Sequence, residues 1–201
     1  MKATLFSTLL GMLTLSLTRA INVGDTIPSK ELHHNFPPEK INLYERIFDK
    51  NVVLVGLPGA FTPTCSTRQV PGYLEFQKAL KEVGVDEVIV YSVNDGAVMM
   101  AWAEDQGVAE DGMVTLMGDP YGELTEALDM ELTHSGPKNA GLINRCKRHA
   151  LYVEKGVVKI VRVAEGEDDP AGDNEPEVTL ADAMVDAIRA LKEKDGSSDE
   201  L

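Results

Sequence analysis

The chain predicts an α/β fold, a central mixed β-sheet flanked by helices, and three observations carry that expectation. Val52 to Leu57 and Val88 to Val93 are nearly continuous apolar runs of strand length, the mark of strands covered on both faces. Between them Val70, Tyr73, Leu74, Leu80 and Val83 recur at helical spacing, opposite Glu75, Lys78, Lys81 and Glu82. Past residue 150, two β-rich runs turn on Glu154-Lys155-Gly156. The resulting order, β-α-β-α-β-hairpin-α, argues for one sheet with helices packed against it.

From the start of the chain, Lys2 precedes a largely apolar run from Leu5 to Leu17, and Thr18-Arg19-Ala20 puts small residues at both cleavage-determining positions. Residues 1–20 thus read as a secretory signal peptide. A membrane anchor needs about 20 apolar residues, and this run is shorter and interrupted by Ser7, Thr8, Thr14 and Ser16. Ile21 to Pro38, rich in turn residues, suits an arm laid over the core. The strand at 52–57 is bounded by Asn51 and Pro58, and a helix of about fifteen residues follows it. After the second strand, Asp95 is placed to cap a helix carrying Val98, Met99 and Trp102. Thr115 to Met117 is a short strand closed by Gly118-Asp119-Pro120. Ala150 to Val163 forms the hairpin. A last helix from Leu180 to Lys192 has Thr179 as N-cap and Asp182 in a capping-box-like position. With no internal repeat or interdomain linker, residues 21–192 form one domain and 193–201 a tail. The tail ends in Ser198-Asp199-Glu200-Leu201, a variant of the Lys-Asp-Glu-Leu retrieval word. Together with the leader, it predicts the endoplasmic reticulum lumen.

The formal charge is -14, and removing residues 1–20 takes away Lys2 and Arg19 but no acid, leaving about -16. Such a chain repels phosphate backbones and anionic lipid, so neither nucleic acid nor a membrane surface is an expected partner. Many of the acids lie between Glu165 and Glu177 with prolines and glycines among them, a solvated loop without the regularity of a metal site. His33, His34, His134 and His149 have no metal-ligand spacing either and read as surface or packing residues. With no nucleotide-binding glycine motif, no cofactor is expected.

Only two cysteines occur, Cys65 and Cys146. Cys65 lies in Gly56-Leu57-Pro58-Gly59-Ala60-Phe61-Thr62-Pro63-Thr64-Cys65-Ser66, between a buried strand and an amphipathic helix. There it falls in the first helical turn, where unpaired backbone N–H groups and the positive dipole end favour an anion. A free cysteine ionises near about pH 8.5, and helix N-termini or nearby cations lower that value. Thr62, three residues earlier, puts a hydroxyl within reach of the sulfur, able to accept from a substrate O–H while donating elsewhere. Pro58 and Pro63 restrict the turn and Gly59 lets a substrate approach the backbone. A buried inert thiol, or a structural disulfide with Cys146, is the alternative reading, and neither requires this surrounding pattern.

Pro58-x-x-x-Thr62-x-x-Cys65 resembles the active-site motif of the peroxiredoxins, and Pro58-Gly59-Ala60-Phe61-Thr62-Pro63 that of their type II, peroxiredoxin V-like branch. Pro71-Gly72-Tyr73, Ser92-Val93-Asn94-Asp95 with Val98-Met99 and Ala101-Trp102, and Lys147-Arg148-His149-Ala150-Leu151-Tyr152 are similar too, so the likeness covers about residues 22–192. The resemblance implies a thioredoxin-like fold, a homodimer, and a peroxidase that reduces hydrogen peroxide and alkyl hydroperoxides. Its thiol reductant would be thioredoxin-, glutaredoxin- or glutathione-like. It also implies Cys65 as nucleophile, with Pro58, Thr62 and Arg148 as site residues. An arginine's planar fork of donors suits both the thiolate and the oxygens of a breaking peroxide bond; Arg145 is the neighbouring candidate. The resolving cysteine that many type II members carry at the position of Val90, or near the last helix, is missing. Cys146, two residues before Arg148, is either an apolar filler or a redox partner of Cys65, and would share Arg148's face if the strand reaches that far. A thioredoxin-type oxidoreductase lacks support because Ser66, Thr67 and Arg68 follow Cys65, leaving no C-x-x-C pair. A redox sensor or holdase on the same fold is the non-enzymatic alternative.

Overall fold

A computed structural model describes residues 19–198. Most of the leader and the last three residues of the retrieval-like word lie outside the described residues. Seven strands form one sheet: β1 (Glu31–His34), β2 (Glu39–Asn42), β3 (Asn51–Gly56), β4 (Glu87–Ser92), β5 (Val114–Gly118), β6 (Arg148–Glu154) and β7 (Val157–Ala164). Their order across the sheet is β2-β1-β5-β4-β3-β6-β7. β5, β4 and β3 run parallel, while β1, β6 and β7 join antiparallel, so the sheet is mixed as predicted.

The pleat sends alternate residues of the central strands into two separate cores. Val53, Val55, Val88, Val90, Ala150 and Tyr152 face one core, against α2 (Val70–Glu75), α3 (Gln77–Glu82), α4 (Gly96–Asp105) and α7 (Ala181–Ser198). Val52, Leu54, Ile89, Tyr91, Leu151 and Val153 face the other, with α1 (Leu43–Ile47), α5 (Glu123–Ala127) and the arm residues Ile21 and Ile27. Burying each of the larger aliphatic side chains on both sides contributes about 1.5–3 kcal/mol, which is why the uninterrupted apolar runs sit at the centre.

The hairpin turn carries positive φ at Lys155 (48°) and Gly156 (81°), as a tight two-residue connection requires. Asp95 caps α4 as expected, its carboxylate accepting from Val98 N at 3.0 Å. Other expectations need correction. The arm at 21–38 is partly sheet: β1 pairs with β2 around a turn through Phe36-Pro37, and Thr26 bridges Val157. Four-residue strands with Leu32 as the one fully buried side chain of β1 are too short for their alternation to show. The helix after β3 is also not continuous. It opens with a π-helical turn over Cys65–Gln69 and breaks at Phe76 between α2 and α3. Thr179 is not the cap of the last helix; its hydroxyl donates to Pro176 O at 2.8 Å and closes a 3₁₀ turn, leaving extended Leu180 just ahead of α7. α7 continues to Ser198, so most of the expected tail is helical. α5 and α6 (Ser135–Asn139) were not foreseen, because five residues hold too little of a helical period.

Candidate active site

β3 delivers the chain from the middle of the sheet to the cysteine turn. Leu57 N still donates to Tyr91 O of β4 at 3.0 Å, and Pro58, with no N–H to offer, ends the ladder there. The turn that follows is tied down at two points. Thr62 Oγ1 donates to Gly59 O at 2.8 Å, and Ala60 N donates to the side-chain oxygen of Asn94, beyond β4, at 3.1 Å. Ser66 N donates to Thr62 O at 3.0 Å, so Thr62 stands at the helix entry and Cys65 lies in the first turn, as expected. Cys65 is fully buried.

Arg148, the first residue of β6, brings its guanidinium to the same place. Its Nη1 donates to Cys65 Sγ at 3.4 Å, while Nε donates to Ala171 O at 3.2 Å and Gly172 O at 3.0 Å. Nη2 donates to Asp173 Oδ1 at 2.5 Å. The charge is fully buried and opposed both by the sulfur and by a carboxylate, which is what makes such burial tolerable. Arg145 is directed differently: Nη1 donates to Asn94 Oδ1 at 2.9 Å, over the cysteine turn rather than onto the thiol. The structure thus brings Cys65 and Arg148 into contact and leaves Thr62 and Pro58 shaping the turn between them.

Cys146 is also a buried free thiol, but it belongs to the other core. β6 begins only at Arg148, so the alternation does not carry back to residue 146, and the shared face does not exist. Its Sγ donates to Leu57 O at 2.9 Å, and burial pushes this thiol up, away from thiolate formation. Next in line, His149 is a packing residue: its ring stands where a Cβ on Gly56 would be, 2.0 Å from Cε1. Because Nδ1 faces the Lys147 carbonyl at 2.9 Å, it carries the proton there, and Nε2 accepts from Tyr91 OH at 3.2 Å. Burial lowers its pKa to about 4, so the ring is neutral at ordinary pH.

Two contributors escaped the sequence reading. Asn94 has an ordinary place in a turn, and only the fold shows its amide oxygen joining Ala60 N to Arg145. The acidic stretch at 165–177 is not a plain solvated loop: Ala171 and Gly172 are buried against Arg148. Among the described residues, no group of three or more His, Cys, Asp or Glu is placed to hold a metal ion, and no helix is long and apolar enough to cross a membrane.

The Redoxin family model matches residues 22–181. Peroxiredoxin-2E, chloroplastic, of Arabidopsis thaliana is 36% identical over 157 residues, covering 76% of this chain and 66% of its own length. Peroxiredoxin-2E-2, chloroplastic, of Oryza sativa subsp. japonica is 39% identical over 155 residues, covering 75% and 68%. The crystal structure of reduced Prx3 from Vibrio vulnificus in complex with hydrogen peroxide aligns with a TM-score of 0.72 at 32% identity, over 84% of this chain and 96% of that one. The endoplasmic reticulum lumen, expected from the two ends of the chain, does not stand, because these two plant relatives are chloroplastic. A terminal Asp-Glu-Leu arises easily in a chain with 33 acidic residues, and so carries little weight against relatives matched along the domain.

Proposed function

This chain belongs to the Redoxin family and is a peroxiredoxin, and from that premise we propose that Cys65 is its attacking thiol, with Pro58, Thr62 and Arg148 completing the site. The enzyme is a thiol-dependent peroxidase on a thioredoxin-like fold, taking hydrogen peroxide and alkyl hydroperoxides as substrates. The Cys65 thiolate attacks one peroxide oxygen; the S–O bond forms as the O–O bond breaks, and the departing oxygen leaves as water or an alcohol once protonated. The charge moving onto that oxygen is met by Arg148 and by helix N–H groups already in place, which therefore need no reorganisation during the step. Thr62 directs its proton to Gly59 O, so its oxygen lone pairs remain to accept from the peroxide O–H. Cys65 is left as a sulfenic acid; one external thiol condenses with it, releasing water, and a second thiol reduces the mixed disulfide.

The observation that carries this reading is the Arg148 Nη1 contact with Cys65 Sγ at 3.4 Å in a helix's first turn. Replacing Cys65 with Ser tests it: peroxide turnover with a thiol donor should vanish, because a hydroxyl cannot supply the anionic nucleophile at neutral pH. A variant that keeps most of its activity would refute the assignment.

Two features of the whole protein belong to the same proposal. Residues 1–20 are a removable leader and the mature chain begins near Ile21, whose side chain is buried and whose N donates to Leu128 O at 3.2 Å. Two copies associate as a homodimer through the end of the sheet where loops expose Phe61, Tyr121 and Ile143. Native mass spectrometry of the processed protein reads both, and an unprocessed or monomeric species would contradict the corresponding statement.

A further inference from the structure

The acidic stretch between β7 and α7 is folded around a single carboxylate. Asp169 Oδ1 accepts from Asp173 N at 2.9 Å, and its Oδ2 accepts from Asn174 N at 2.9 Å and Glu175 N at 3.2 Å. Its backbone carbonyl accepts from Gly166 N and Gly172 N. The loop so formed presents three acceptors to Arg148, the buried Ala171 O and Gly172 O and the half-exposed Asp173 carboxylate, and the guanidinium takes all three. Gly172 sits at φ 61°, and a Cβ there would fall 2.2 Å from Ala164 O, so the close approach requires glycine. The same stretch is stitched to the helix of Cys65, by Thr64 Oγ1 donating to Asp173 O at 3.4 Å and by Arg68 pairing with Glu177 at 2.9 Å.

We infer that Asp173, held by Asp169, is a positioning residue that fixes the Arg148 guanidinium on Cys65 and moderates the positive charge the sulfur feels. This inference rests on the proposed roles of Cys65 and Arg148. Three of the guanidinium's four hydrogen bonds, two from Nε and one from Nη2, go to the loop and the fourth goes to the thiol, so the direction of Nη1 follows from where the loop stands. The carboxylate meanwhile offsets part of the cation, since an opposite charge at hydrogen-bond distance competes with the thiolate for it.

The two carboxylates then differ in what their loss does. Asp173→Asn keeps an acceptor for Nη2 and leaves the loop backbone untouched, because Asp173 binds Asp169 and Thr64 through main-chain atoms. It removes only the opposing charge, so the thiolate, followed by its ultraviolet absorbance, should form at lower pH than in the unaltered enzyme. Asp169→Asn takes away the charged acceptor of three backbone N–H groups; the loop loosens, Arg148 drifts, and the thiolate should form at higher pH while the peroxide rate constant falls roughly tenfold to a hundredfold. A loop that serves stability alone would shift both variants in the same direction or neither, and either result overturns the inference. Arg148→Lys is the control for the underlying reading. If it alters neither the titration nor the rate constant, the role of Arg148 itself fails; if it alters them while both aspartate variants behave as the parent, only the loop's role fails.

Discussion

Single residues carry the chemistry, and they differ in how far the chain announces them. Cys65 and Thr62 were legible because a thiol in a first helical turn, behind a proline-glycine turn, is a local pattern fixed within eleven residues. Arg148 was reached by family resemblance and Arg145 stayed open beside it; in the fold one guanidinium meets Sγ and the other Asn94. Cys146 would share Arg148's face only if the strand reached that far; β6 begins at Arg148, and Cys146 lies in the other core. That placement has a consequence. A thiol held up by burial, donating to Leu57 O and packed in the other core from Cys65, is poorly placed to resolve the sulfenic acid. Cys146→Ala should therefore keep the peroxide rate within about threefold of the parent, since the site is not touched. Mass spectrometry of peroxide-treated protein should find Cys65 as sulfenic acid or a mixed disulfide, and an internal Cys65–Cys146 bridge would show the core opening to be functional.

At the level of elements, what was legible scaled with length and burial. β3, β4 and α4 were visible because four apolar residues in a row, or a capped helix of ten, leave a pattern to read. The β1–β2 hairpin, α5 and α6 hold four or five residues each and were not. The π-helical turn at Cys65–Gln69 was invisible for a different reason: widening a helix by one residue changes which carbonyl each N–H meets, with no change in composition. How the cysteine turn is fastened is likewise a relation between elements. Asn94, at the end of the β4–α4 connection, reaches across to Ala60 N and is itself fixed by Arg145. Asn94→Ala should leave a part-buried backbone donor and a guanidinium without their shared acceptor, costing about 1–3 kcal/mol of stability. The peroxide rate should fall with it, by roughly tenfold, because the turn that aims Thr62 and Cys65 loses its outer anchor. Denaturant titration and a peroxide progress curve check the two parts; a destabilised variant with an unchanged rate would mean the turn is set by its prolines alone.

Across the whole molecule, one sheet with a core on each side is what the apolar patterning predicted, and the start of β6 sends one side chain toward the cysteine and the next into packing on the other side. Residues 148 and 149 lie at the edge where the two cores meet: Arg148 serves the cysteine and His149 fills the room left by Gly56. The histidine makes the molecule's stability sensitive to acid. Its ring is buried and neutral, with Nδ1–H given to Lys147 O and Nε2 accepting from Tyr91, so a second proton would place a charge in the core that burial disfavours. In the unfolded chain it titrates near the ordinary value of about 6.5, and in place at about 4. Between those pH values the unfolded state binds a proton that the native state refuses, so stability falls as pH drops from about 6.5 toward 4 and is fully retained above 6.5. The gap corresponds to about 3 kcal/mol once the lower value is passed. The acidic loop and surface carboxylates add their own pH dependence, which a His149→Gln variant shares; the difference between the two proteins isolates the ring. Denaturant midpoints taken across this range should converge as pH falls, the parent losing the more stability of the two. Parallel curves would mean that the imidazole accepts its second proton in place, and that the packing over Gly56 opens to let water reach it.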